Sequence, residues 1–482
     1  MSKKVSLVLA TLFATGQFIA YAAEEVATEK VAVEKVDKVE KKPNMLEAMS
    51  FKGFAFMRYS TADGVGGAAQ RQQYRMKLDA TTGKVEGFSF TAGIYLNQGS
   101  STPGSNNNNT DKDIAGSQAI VIDEFADRLS IATYYGTKDF EGESYKTTIN
   151  LGRLNITSVF TDKNTDLGTG AEVKIKGKKL NYSLSYFDNW MTNNFAYGMR
   201  AHGATGNSYA QARIGMGNNL TLFNIKSEKL GGFDFGVTLG NAAGLIDYLA
   251  FGEAGYKTGG FHILAQVVAA GMNSTPDWGS GLVNEGALAS WGASGDNNGH
   301  KNTTRPTYNG FNGADANAWA KNRGVYNVQI GYKTGGFSSK LGYLGSFGDG
   351  YGVLLDAKGG INIAGKAWSN NYDSANEGFG FIGNGGRAGT SIMAIYAQLN
   401  YTIAKALKLG LDVSYVGGDN NYNTIGVAKR QKTYEGKGIT FTEIAPSLSY
   451  KLNENFEFSL FYALVTGDVE FGKSRFELKY NF

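Results

Sequence analysis

From Lys473 to Phe482 the chain alternates without a break. Phe476, Leu478, Tyr480 and Phe482 fall on one side of an extended backbone, and Arg475, Glu477, Lys479 and Asn481 on the other. Side chains of a strand point alternately to opposite faces, so this is a strand with one apolar, aromatic face and one charged face. A strand end is ordinarily frayed and polar; here the aromatic face runs to the tip. The interface of a lipid bilayer, where transmembrane barrels carry aromatic girdles, accepts such a face.

The same phase recurs upstream. Tyr74, Met76 and Leu78 alternate with Arg71, Arg75 and Lys77, and strands read at 85–97, 126–136, 143–153, 171–178, 178–188, 231–241, 248–258, 260–271, 325–334, 336–346, 390–402, 405–417, 438–451, 455–466 and 470–482. A first strand spans Phe51 to Tyr59, with its two faces ambiguous. Many of these segments are about ten residues long, the length a tilted strand needs to cross a bilayer. Composition agrees: 66 Gly, 27 Tyr and 29 Phe, but 5 Pro and no Cys, in 482 residues. A closed sheet needs every strand N–H in its ladder, which disfavours Pro. The lack of Cys removes disulfide and thiol chemistry, and a formal charge of +4 makes no case for nucleic-acid binding. Beyond the amino terminus nothing approaches the ~20 apolar residues of a spanning helix, which excludes a helical transporter but not a barrel.

At the amino terminus Lys3 and Lys4 precede an apolar run from Val5 to Ala20, and Ala20-Tyr21-Ala22 offers small residues for cleavage before Ala23. This pattern predicts a secretory signal peptide over 1–22. Residues 23–49 are charged, from Glu24-Glu25 to Lys41-Lys42, and read as a solvated periplasmic segment. The barrel is expected over 50–482.

Connections between strands are either very short (258–260, 334–336, 402–405, 452–455) or very long (98–125, 271–324, 346–390). Outer-membrane barrels put short turns in the periplasm and long loops outside. Segment 208–226 decides the parse. As two strands it would carry the 271–324 connection to the turn side; as one strand near 212–226 it leaves every long loop on one side. The expectation is therefore an all-β, antiparallel, up-and-down transmembrane barrel of about eighteen strands, an even number. Tyr256-Lys257-Thr258-Gly259-Gly260-Phe261 recurs as Tyr332-Lys333-Thr334-Gly335-Gly336-Phe337, and loosely as Lys229-Leu230-Gly231-Gly232-Phe233, a hairpin turn reused at one rim.

With Tyr332 and Phe482 facing lipid, Arg75, Lys77, Lys340, Asp412, Glu443 and Glu477 fall on the lumenal face. Facing lipid, a mid-depth Arg or Lys would cost ~2–4 kcal/mol. A barrel of this size is too wide for side chains alone to fill, so water or an inserted loop occupies it. Arg58, Arg71, Arg75, Arg128 and Arg153 all lie in the first five strands and suggest a basic wall. The connection 154–170 is mildly apolar, with Ile156, Val159 and Phe160, which suits folding inward; Asp162 and Asp166 would then oppose the basic wall. Charged walls of this kind bias ion passage.

The early Phe51-Lys52-Gly53-Phe54-Ala55-Phe56-Met57-Arg58-Tyr59 strand, Gly152-Arg153 before the inward-loop candidate, the amino-terminal pattern and the terminal aromatic strand resemble the major outer-membrane porins of Campylobacter and its relatives, which are similar to the OprD-like porins. The resemblance covers most of the chain and is architectural. It implies a homotrimeric, multi-pass barrel in the bacterial outer membrane, in contact with the lipid bilayer and lipopolysaccharide. Its third loop would narrow a channel that passes ions and small hydrophilic solutes, and no cofactor is required. Tyr480 and Phe482 would serve as the signal read by the barrel assembly machinery.

The sequence bears on two other chemistries. Asp162, Asn164 and Asp166 place oxygen donors at alternate positions, as a Ca2+ loop would. The twelfth position is Val173 rather than Glu, so an EF-hand is excluded and an irregular calcium site with other loops is left. Catalysis is disfavoured: the His residues are His202, His262 and His300, and His262 has no obvious acid partner. The alternative to a porin is a ligand-binding or adhesive barrel that recognises its partner through its long Asn-rich loops.

Overall fold

The computed structural model describes residues 45–482 except 47, 65–66, 102–127, 162, 164–165, 192–200, 203–208, 211–218, 228–229, 245, 273–319, 354–359, 370–388, 420–437 and 469. The expected signal peptide and most of segment 23–49 lie outside the described residues. The strands are β1 (Ser50–Gly64), β2 (Gly67–Thr81), β3 (Phe88–Ser101), β4 (Arg128–Glu141), β5 (Tyr145–Asn155), β6 (Leu167–Gly177), β7 (Leu180–Met191), β8 (Ala201–His202), β9 (Tyr209–Ala210), β10 (Leu220–Ser227), β11 (Phe233–Ala242), β12 (Ile246–Thr258), β13 (Phe261–Met272), β14 (Asn322–Thr334), β15 (Phe337–Gly348), β16 (Ser391–Ile403), β17 (Leu407–Asp419), β18 (Ile439–Lys451), β19 (Phe456–Gly467) and β20 (Phe471–Asn481). All but the short β8–β9 pair join one antiparallel 18-stranded sheet. Each strand pairs with its sequence neighbours, β7 pairs with β10, and β20 returns to β1 along Phe54↔Asn481 to Gly64↔Phe471. The sheet is thus a closed up-and-down barrel, which leaves no edge strand.

Among the described residues, segment 208–226 contributes one barrel strand, β10, as the even count requires. Both sheet termini and the short turns after β12, β14, β16 and β18 share one end, and every connection with a long stretch outside the described residues emerges at the other. Pro446 stands inside β18, where its missing N–H interrupts the ladder: pairing to β19 lapses between Ile444↔Leu464 and Ser447↔Phe461.

Alternation fixes the faces. On β14, Tyr326, Val328 and Ile330 are exposed while Val325, Asn327 and Gln329 are buried. The outer face carries an apolar middle, with Ile263, Leu341, Ile395 and Leu399, between two tiers of aromatics. At the turn end, Phe261 and Tyr332 lie 4.7 Å apart; at the other, Tyr326 and Tyr343 lie 6.0 Å apart. This is the surface a membrane-spanning barrel presents. On β1 the structure resolves the ambiguous faces: Met57 points outward, and Phe54, Phe56 and Arg58 share the inner face.

The repeated Gly-Gly-Phe turns have a structural reason. The second Gly of each turn presents its carbonyl to the next strand: Gly232 O accepts from Lys257 N–H at 2.8 Å, Gly260 O from Lys333 N–H at 2.8 Å and Gly336 O from Thr402 N–H at 2.9 Å. A Cβ there would meet the neighbouring carbonyl at 2.3 Å from Gly232, 2.7 Å from Gly260 and 2.4 Å from Gly336. Gly87-Phe88 forms a fourth copy, with Gly87 O accepting from Asp139 N–H at 2.9 Å.

The buried core sits on the inner face, toward the end with the long connections. Val268, Val325, Leu344, Ala394, Val416 and Phe441 from the wall join Tyr351, Val353, Ala367 and Trp368 of the β15–β16 connection in one apolar cluster. Leu154, Ile156 and Phe160 join it beside Phe187, Trp190 and Leu220. A hollow sheet cylinder cannot bury its inner face with its own side chains, so inward-packed connections supply the missing layer.

Candidate pore interior

Where β20 closes on β1, basic side chains from three adjacent strands meet. Arg58 donates through Nε to Glu477 Oε2 at 2.7 Å and through Nη1 to Gln73 Oε1 at 3.3 Å. Its guanidinium lies 4.5 Å from the centre of the Phe56 ring, and that of Arg75 lies 5.4 Å from the same ring and 5.8 Å from Tyr95. Alternation turns Phe56 inward, where its ring is a platform for two cations. Lys77 pairs with Asp79 at 3.3 Å, and Thr133 Oγ1 donates to Asp79 at 2.6 Å. On β20, Arg475 stacks over Phe461 at 5.5 Å and Lys479 over Phe54 at 5.9 Å. Arg58, Arg75, Lys77, Lys473, Arg475 and Lys479 therefore form a basic column facing Glu477 and Asp79.

The register carries Arg71 opposite Ser60 and Ser101, and Arg128 opposite Asn97, in line with Arg75; their side chains lie outside the described set. Arg153 stands apart from the column. It pairs with Tyr134 and Thr169, directly after Gly152 at φ +134°. Asp162 and Asn164 lie outside the described residues. Asp166 is buried, and its carbonyl accepts from Ile156 N–H at 3.0 Å, which closes the base of the β5–β6 connection, 156–166, the third at the long-loop end. Among the described residues no group of three His, Asp or Glu could hold a metal ion. His262 lies on the inner face with Gln266, its ring against Gly331. His300 is outside the described residues, and His202 is described by its backbone alone. Tyr480 and Phe482 stack edge-on at 5.1 Å, and Phe482 N–H donates to Gly53 O at 3.0 Å.

Away from the column, parts of the wall are chains of neutral and acidic partners. Thr137 donates to Asn150 at 2.8 Å, and Asn150 to Glu172 at 3.0 Å. Gln266 donates to Glu253 at 3.1 Å and accepts from Asn327 at 3.0 Å, while the Tyr396 hydroxyl donates to Asn327 at 2.5 Å.

Residues 360–369 of the β15–β16 connection lie against this wall. Asn362 N–H donates to Gln266 Oε1 at 2.9 Å. Lys340 Nζ donates to Asn362 Oδ1 at 2.7 Å and Ile363 O at 2.9 Å. Gly365 N–H donates to Asp412 Oδ2 at 3.0 Å. The Glu443 carboxylate accepts from Lys366 N–H at 2.5 Å, from Ala367 N–H at 3.1 Å to each oxygen, and from Trp368 N–H at 2.8 Å. The partners stand on β13, β15, β17 and β18, so the segment runs along about a third of the wall. Lys340, Asp412 and Glu443 stand on the lumenal face that alternation assigns them, but nothing local in an Asn- and Gly-rich loop marks it as a ligand for carboxylates.

No family model matches the sequence, and no curated protein does. Solved porin barrels share the fold. Acinetobacter baumannii OccAB4 is similar with a TM-score of 0.55 at 12% identity, over 91% of this chain and 99% of its own. Pseudomonas aeruginosa OccK8 (OprE) is similar with a TM-score of 0.52 at 13% identity, over 91% and 99%. Pseudomonas aeruginosa OccD3 (OpdP) is similar with a TM-score of 0.51 at 11% identity, over 91% and 92%. These neighbours are OprD/Occ-family porins, and the likeness is one of fold.

Proposed function

We propose that this protein is a porin of the bacterial outer membrane, a water-filled channel for passive diffusion of ions and small hydrophilic solutes. The observation that carries the reading is the closed barrel with an apolar, aromatic-tiered outer face and a charged inner face. Such a cylinder satisfies every requirement of a bilayer outside and of hydrated solutes inside. The β5–β6 connection narrows the lumen; the burial of Ile156 and Phe160 beside Phe187 and Leu220 supports this. The basic column on β20, β1 and β2 supports a preference for anionic solutes, because its field reaches the lumen even where its side chains are buried. Function as a homotrimer, as in the porins the sequence resembles, belongs to the same reading. Purified full-length protein added to a planar bilayer should give discrete conductance steps in KCl. A bilayer that stays silent after insertion of folded barrels overturns the proposal.

A further inference from the structure

Asp412 and Glu443 stand on neighbouring strands, in the inner-face rows that pair Asp412 with Ala445 and Ser414 with Glu443. Both are buried, at 1% and 0% exposure, although Leu411, Val413 and Ile444 beside them are exposed on the outer face. A carboxylate at such a place must recover its lost hydration from donors. The donors here are four successive backbone N–H groups of another part of the chain: Gly365 on Asp412, and Lys366, Ala367 and Trp368 on Glu443. Gln398 Nε2 donates to Asp412 at 2.8 Å from the wall, and Lys366 Nζ approaches it at 3.5 Å.

Successive N–H groups converge on one anion only when the backbone is curled into a nest. Gly365 provides the curl, at φ +114°, and a Cβ there would lie 2.3 Å from Trp368 Nε1. Ser369 Oγ fastens the turn by donating to Gly365 O at 2.7 Å. Trp368 then enters the apolar cluster of the wall. The arrangement is built from both sides: two wall carboxylates placed for donors, and a loop shaped to supply them.

We propose that Glu443, assisted by Asp412, is the latch that seats residues 360–369 on the lumenal wall, and that this seating sets the width of the channel. The two residues are positioning residues: they hold the segment and need not touch the solute. The inference about width rests on the channel reading above; the inference about the latch does not.

The chain has no Cys, so Ala367→Cys introduces a single thiol at a buried position of the seated segment. The full-length variant, folded in membranes, is treated with a membrane-impermeant maleimide, and heat-modifiable gel mobility confirms the closed barrel. With Glu443 intact, labelling should be slow. Adding Glu443→Ala should raise the rate tenfold or more, and Glu443→Gln, which keeps the shape but one acceptor oxygen, should fall between. Without the added thiol, Glu443→Ala should also increase single-channel conductance or its flicker. If Glu443→Ala does not fold, Glu443→Gln and Asp412→Asn carry the comparison. Equal labelling rates in folded barrels with and without these substitutions overturn the latch, whatever the conductance. Faster labelling with unchanged conductance in an active channel overturns its role in channel width. A native chain that never conducts overturns the channel reading instead, and leaves the labelling result to judge the latch.

Discussion

Arg58 Nε donates to Glu477 Oε2 at 2.7 Å across the seam where β1 meets β20. The two residues are 419 apart in sequence, and the contact exists only once the barrel has closed. Both side chains are mostly covered, at 14% and 19% exposure, so the pair is screened less than a surface ion pair. A hydrogen bond to a charged partner contributes about 1.5–3 kcal/mol. Glu477→Ala should therefore lower barrel stability by about that amount, and Glu477→Gln, which keeps one acceptor oxygen, by less. A double-mutant cycle with Arg58→Ala should show coupling, read from urea unfolding in detergent or vesicles. Additive single effects would mean that the seam does not depend on this pair.

Ion preference should follow the basic column. Arg75 and Lys77 are buried at 7% and 4%, and their charge is offset in part by Asp79. Arg75→Glu, or Lys77→Glu, should move the zero-current potential in a KCl gradient toward the cation side, with a severalfold fall in the anion-to-cation permeability ratio. Arg75→Gln should move it the same way by less. An unchanged ratio in folded channels would place the selective region elsewhere, with Arg153 the next residue to test.

The barrel was legible in the sequence because a bilayer imposes two rigid rules, side-chain alternation and a narrow range of strand length. Those rules located a single barrel strand, β10, in the ambiguous stretch near 212–226. The inner layer obeys no such period. The basic wall read from the first five strands extends onto β20, since Arg475 and Lys479 become neighbours of β1 only through closure. Residues 360–369 were invisible for the same reason: their anchors, Gln266, Asp412 and Glu443, come from strands far apart in the chain. Two inward-facing acids on adjacent strands without a basic partner in register were the one available hint.

The Gly-Gly-Phe turns separate two demands on glycine. Gly259 has φ +52° and nothing within 4 Å of an added Cβ; Gly260 combines φ +88° with a Cβ position 2.7 Å from Lys333 O, and Gly336 has the close approach alone, at 2.4 Å from Thr402 O. Asn tolerates the left-handed region, so Gly259→Asn should leave stability nearly unchanged. Gly260→Asn, or Gly336→Ala in the second copy, forces the neighbouring strand to move and should cost about 1–3 kcal/mol. Melting followed by heat-modifiable mobility distinguishes them. Equal losses at Gly259 and Gly260 would show that backbone conformation alone selects the repeat.

The outer face gives the most direct test of membrane insertion. Val328 is 48% exposed between Asn327 and Gln329, which are buried at 0% and 2% on the inner face. It lies near the middle of β14, opposite Ala265 and Tyr343. Val328→Arg places a guanidinium at mid-depth in hydrocarbon and should destabilise the barrel folded into phospholipid vesicles by ~2–4 kcal/mol. Val328→Leu should be neutral there. In a detergent micelle, which deforms around a charge, the penalty should shrink. A cost below about 1 kcal/mol in vesicles is what an interfacial position shows, and would mean that this face does not sit at the depth its aromatic tiers imply.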